Sequence, residues 1–154
     1  MDTRVNPPMI AAEQGERCQR TLRFSRDDIA AFAQLSGDAN PLHHDQQAAL
    51  RARHGEIIAS GQQVSAMLMG LAASHFSRAG EGFTREYLCL NTNFAFKAPV
   101  FADQSLELSW AVTEAEWHER LGGWLVQAHG QAGVRLAKPA VVARGTFLVK
   151  PVPV

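Results

Sequence analysis

The sequence predicts an α+β domain in which a curved antiparallel sheet wraps around one central buried helix. Three observations carry that prediction. The stretch "ASGQQVSAMLMGLAASHF", residues 59–76, has helical composition but no charged face, so protein must enclose it on most sides. Beyond Tyr87 the apolar spacing changes from a helical period to the two-residue alternation of strands. Short punctuation such as Gly122–Gly123 and "LAKPA" separates those strands, and short connections imply antiparallel pairing.

The elements follow in order. Residues 1–15, with Pro7 and Pro8, read as an extended arm, leaving 16–154 as the domain. "RCQRTLRFS" puts Leu22 and Phe24 on one face of a short strand. Ser25 then suits a helix N-cap, and Asp27 and Asp28 lie where the helix dipole favours acids. Ile29, Phe32, Ala33 and Leu35 recur at helical spacing, and Gly37 fits the left-handed position past the helix end. Pro41 biases Asn40 toward an extended backbone and opens a new turn carrying Leu42 and His43. A short helix over about 46–53 comes next. Ser60 caps the central helix, Gly61 sits in its first turn, and its body covers 64–73. Leu88, Leu90, Thr92, Phe94 and Phe96 are expected on one face of a strand, and Leu106, Leu108, Trp110 and Val112 on one face of another. "WLVQAHGQAGV" and "VVARGTFLV" supply two more.

Composition narrows the function. The chain has 154 residues, 46% hydrophobic and 19% charged, which suits one globular domain. Fifteen basic and fifteen acidic side chains cancel, which argues against nucleic acid or an anionic membrane as partner. The uncharged run between Glu56 and Arg78 contains Ser60, Gln62, Gln63, Ser65, Ser74 and His75, too polar for a lipid-facing span. "MDTRVNPPMI" has no apolar signal-peptide core, so a cytoplasmic location is expected. Cys18 and Cys89 show no metal-ligand spacing and read as two buried, reduced thiols; no metal is expected.

The densest chemistry lies in "SGDANPLHHD", residues 36–45. Asp38 and His43, on opposite sides of a proline-fixed turn, are spaced to share one bound water, and a carboxylate positions and tunes an imidazole. Asn40 orients its neighbours or caps the next turn, and of the adjacent His43 and His44, which point differently, only one serves the site. The same residue types also make plain turns, so turn and acid–base site both stand on composition alone. Gly61 has two readings as well. It offers an unpaired helix-start N–H to developing negative charge, or it lets helix and sheet pack closely.

"FAQLSGDANPLHHDQQAA" resembles the hydratase-2 signature of the MaoC-like (R)-specific enoyl-CoA hydratases, with Phe32, Ser36, Gly37, Asp38, Asn40, Pro41, Leu42, His43 and Ala49 matching it. "IIASGQQVSAMLMGL" is similar to that family's central-helix segment, and "FAFKAPVFADQSLEL" to its F-x-x-P-V-x-x-x-D strand pair. The resemblance implies a single hot-dog domain that reversibly hydrates trans-2-enoyl thioesters to (R)-3-hydroxyacyl thioesters. It implies Asp38 and His43 as the catalytic pair, the Gly61 N–H on the thioester oxygen, and Asn40 as support for the loop. Acyl-CoA or an acyl-carrier-protein thioester would be the substrate, with no further cofactor, and the assembly a homodimer. Two positions depart from the pattern. Ser60 stands where His is common, and Met69 where a site-lining Ser is common, with Ser65 one turn earlier. These keep a catalytically weak acyl-CoA-binding subunit in view as one alternative; a hot-dog acyl-CoA thioesterase is another, against which the intact Asn-Pro-x-His string counts. Arg78, Arg85 and Lys97 are expected as surface charge, with carrier phosphates as their alternative. Met67 and Met69 read as core filling, and His54, His75, His118 and His129 as structural or surface groups.

Overall fold

The computed structural model describes residues 8–154. Its elements are β1 (Arg17–Arg23), α1 (Arg26–Ser36), a 3-10 turn (Pro41–His43), α2 (Gln46–Arg51), α3 (Gly61–Phe76), β2 (Phe83–Phe96), β3 (Ser105–His118), β4 (Gly123–Gly133) and β5 (Val141–Pro153). The strands form one antiparallel sheet in the order β1-β3-β4-β5-β2. Only β3, β4 and β5 pair in sequence. The connection 97–104 carries the chain across the sheet, with the Lys97 and Ala98 amides donating to Ala140 O, so β2 lies at the far edge from β1.

α3 packs on one face of the sheet. Val64, Leu68, Leu71, Ala72 and Phe76 are buried against Leu106, Leu108, Trp110, Val112, Phe147 and Val149. Trp110 donates its indole N–H to the Leu68 carbonyl at 2.7 Å, which ties sheet to helix and satisfies a buried donor. A stripe of Gln62, Ala66, Gly70 and Ser74 stays exposed. The helix is therefore covered on most of its girth, as its lack of a charged face requires.

Several sequence expectations need correction. β2 slips register between Cys89 and Asn91, so Thr92, Phe94 and Phe96 oppose Gly145, Ala143 and Val141, whereas Leu88 opposes Leu148 on the other face. An extra residue in one strand reverses every side chain beyond it, which no alternation count detects. α1 has its Ser25 capping box and a left-handed Gly37 (φ 73°), but buries only Ile29 and Ala33; Leu35 is 85% exposed. α2 ends at Arg51, because Ala52 takes extended backbone angles. Cys18 is half-buried, with burial pushing its thiol above the usual range, but Cys89 is exposed; both are unbridged.

The first seven residues of the arm expected over 1–15 lie outside the described residues. The rest of it has neither helix nor strand, yet it is tied down. Ala11 and Ala12 are buried, Trp124 donates to Met9 O at 2.8 Å, and Gly15 N–H donates to Val112 O at 2.9 Å.

Arg85 is no surface charge. It is buried and donates to Ala11 O (2.8 Å), Arg78 O (3.2 Å) and Glu81 Oε2 (3.0 Å), with its guanidinium over the Phe83 ring. Arg78 is also engaged, joining Glu16 (3.3 Å), which accepts a 2.6 Å hydrogen bond from His75 Nε2. Burial alone pushes the Glu16 carboxyl up. The His75 hydrogen bond and the Arg78 charge outweigh it and hold the group below the ordinary carboxylate range. A depressed carboxylate pKa stabilises the fold above the unfolded value of 4.5 and loses that contribution as pH falls below it. Glu16→Gln is therefore expected to flatten the fall in Tm as pH drops below 4.5, checked by thermal unfolding of both proteins across that range. Among the described residues no helix is long and apolar enough to cross a membrane.

Candidate active site

The loop between α1 and α2 is built by its own side chains. Gly37 lets the chain reverse past α1, and Asp38 N–H donates to Ala33 O at 2.8 Å. Asp38 Oδ1 accepts the Asn40 N–H (3.0 Å), and Asn40 Oδ1 accepts the Leu42 N–H (3.2 Å), capping the turn that Pro41 opens. That turn brings His43 inward, where it is 5% exposed. Its Nδ1 lies 2.6 Å from the Ile58 carbonyl, and Ile58 N–H in turn donates to Leu42 O.

This contact decides the imidazole's chemistry. A carbonyl only accepts, so Nδ1 carries the hydrogen and Nε2 is turned toward Asp38. Nε2 lies 3.4 Å from Asp38 Oδ2, longer than a direct charge-assisted bond. An imidazole nitrogen and a carboxylate oxygen at this spacing present two polar atoms to one small molecule such as water. The Ile58 carbonyl is a functional group that sequence reasoning missed, because a main-chain oxygen leaves no residue signature.

Ser60, 4% exposed, caps α3 by accepting the Gln63 N–H at 3.2 Å. Gln63 Nε2 donates to Asp28 O at 3.2 Å, so the first turn of α3 is fixed against α1. Among the described residues the Gly61 N–H has no protein acceptor. The glycine also has a packing reason, since a Cβ there would lie 2.6 Å from the Phe96 ring. Gly61→Ala is accordingly expected to destabilise the fold by about 1–2 kcal/mol, and Phe96→Ala in the same chain to recover part of it. Urea unfolding of the single and double variants checks this.

The structure joins Asp38, His43 and Asn40 directly, but Gly61 opens on a different groove. That groove, of about 580 Å³, is lined also by Ile58, Ala59, Gln62 and Phe96. Asp38 lines a second one of about 400 Å³, with Gly37, Ala39 and His44. His43 contacts a residue of each. His44 is exposed, which agrees with the motif match falling on His43 and not on its neighbour. Ser65 donates its hydroxyl to Gly61 O at 2.9 Å within its own helix, and Met69 packs half-buried on the core, so neither presents a free polar group. Among the described residues no group of three His, Cys, Asp or Glu side chains is placed to hold a metal ion.

The family model for the MaoC like domain matches residues 8–123, three quarters of the chain. The chain belongs to that family. Two curated relatives show the likeness. A mitochondrial 3-hydroxyacyl-[acyl-carrier-protein] dehydratase of Arabidopsis thaliana is 31% identical over 66% of this chain and 57% of its own length. The chain thus spans little more than half of that protein. An (R)-specific enoyl-CoA hydratase of Aeromonas caviae is 30% identical over 66% of this chain and 71% of its own. Among solved structures, the MaoC-like dehydratase of Rhodospirillum rubrum superposes with a TM-score of 0.77 at 19% identity, covering 96% of this chain and 99% of that one. The expected hot-dog architecture is the fold of this chain.

Proposed function

We propose that this MaoC-like chain is a hydro-lyase that adds water reversibly across trans-2-enoyl thioesters, giving (R)-3-hydroxyacyl thioesters. One observation carries the reading, the 3.4 Å approach of His43 Nε2 to Asp38 Oδ2 with the other ring nitrogen anchored on Ile58 O. The names of the two curated relatives support it, one a dehydratase and the other a hydratase.

In the proposed reaction a water held between Asp38 and His43 gives up one proton to the pair. Its oxygen bonds to C3 of the enoyl group. The C2–C3 π electrons move toward the thioester carbonyl, whose oxygen takes on enolate charge facing the Gly61 N–H. The pair returns the proton to C2, so the elements of water are added and nothing is oxidised. Dehydration is the reverse. No cofactor beyond the thioester carrier, coenzyme A or acyl carrier protein, enters this scheme. A homodimer is part of the proposal, supported by the open edge of β2 and its exposed Leu88, Leu90 and Phe96.

Crotonyl-CoA tests the activity. Loss of the enoyl ultraviolet chromophore without thiol release is the expected result. Thiol release would replace hydration by a thioesterase reaction, and binding without turnover would leave an acyl-CoA-binding subunit.

A further inference from the structure

The groove onto which Gly61 opens has a charge pattern that the acid–base pair does not use. Its walls are apolar, formed by Ile58, Phe96 and Pro99 among others, while Arg53, His54 and Lys97 stand in its lining and no Asp or Glu does. The nearest carboxylate in sequence, Glu56, is occupied, accepting from Arg26 at 2.9 Å and from its neighbour's N–H at 2.8 Å. Among the described residues neither Arg53 nor Lys97 has an ion-pair partner, unlike Arg26, Arg78 and Arg85. An open groove with apolar side chains, two cations without ion-pair partners and an amide donor suits an uncharged arm that ends in an anion. Arginine and lysine are the side chains that recognise phosphate.

We propose that Arg53 and Lys97 hold the phosphate of a phosphopantetheine arm whose thioester end lies at Gly61. The assignment rests on the enoyl-thioester reading above and names the part of the substrate that reading leaves open. Coenzyme A and acyl carrier protein share this phosphate, so the residues read the chemistry common to both carriers.

The test compares thioesters of one acyl group on different carriers, with wild type and the double variant Arg53→Glu/Lys97→Glu. The readout is the ratio of kcat/KM for crotonyl-CoA to kcat/KM for the phosphate-free N-acetylcysteamine thioester. The variant is expected to lose about tenfold or more in that ratio, chiefly through KM for the CoA thioester. Arg53→Gln/Lys97→Gln gives the same direction with a smaller change, should the reversed charges perturb folding. Added salt should lower the wild-type ratio more than the variant's, because screening acts on the charge contact. Crotonyl-phosphopantetheine must show the same loss; an effect confined to CoA would move the contact to the nucleotide phosphates and overturn the assignment. An unchanged ratio would overturn it too. If wild type hydrates none of these thioesters, the hydratase reading fails by itself. Calorimetric binding of free phosphopantetheine then decides the clamp. Binding about tenfold weaker in the variant supports it, and equal or absent binding removes it.

Discussion

Asp38→Asn is expected to lower kcat by about three orders of magnitude, with the fold and its Tm nearly unchanged. The substitution is close to isosteric. The introduced amide retains an oxygen for the Asn40 N–H, so the loop that Asp38 Oδ1 braces at 3.0 Å survives. What changes is the other half of the group. An amide nitrogen in place of Oδ2, 3.4 Å from His43 Nε2, removes the carboxylate oxygen that the proposed water would meet. It also cannot take up a proton near neutrality. His43→Ala is expected to cost turnover on a similar scale, but it leaves the Ile58 carbonyl without the donor now 2.6 Å from it. A stability loss of about 1–3 kcal/mol should accompany that variant and not the first. The double variant should be little slower than either single one, because the two groups act on one water. Steady-state kinetics with crotonyl-CoA and thermal unfolding of all three variants provide the measurement. Near-wild-type turnover in Asp38→Asn would remove the pair from the chemistry.

Much of the candidate site's geometry was legible in the sequence because the contacts that build its loop are local. Ser25, Gly37, Asn40 and Pro41 act on backbone within a few residues of themselves, so their identities alone fix the turn that brings Asp38 and His43 together. The central helix was legible for a similar reason, since a segment with no charged face has few ways to exist in water. The unread features depend on distant chain. The Ile58 carbonyl reaches His43 across 15 residues, and the Phe96 ring that crowds Gly61 comes from the end of β2. The register slip in β2 is invisible to an alternation count. β2 pairs with β5 because the 97–104 connection carries the chain across the sheet, and pairing by sequence order fails there.

Arg85 shows how far tertiary context overrides residue type, and it gives the largest expected loss of stability. An arginine in a strand reads as a solvated charge, yet its side chain is 1% exposed. The guanidinium is tolerated there because its donors are shared among three chain segments. It serves the Ala11 carbonyl of the N-terminal arm, the Arg78 carbonyl beyond α3 and the Glu81 carboxylate. Arg85→Leu strips donors from two main-chain carbonyls and releases the arm from β2. We expect a loss of about 3–5 kcal/mol, or roughly 10 °C in Tm for a chain of this size. Arg85→Lys should recover only part of that, since one ammonium cannot span partners on three segments. Glu81 is 61% exposed, and a surface ion pair contributes little, so Glu81→Gln should cost under about 1 kcal/mol. Chemical denaturation of the three variants separates the possibilities. If Glu81→Gln proves as damaging as Arg85→Leu, the residue works as an ion pair; if neither is damaging, the arm does not depend on it for its place against β2.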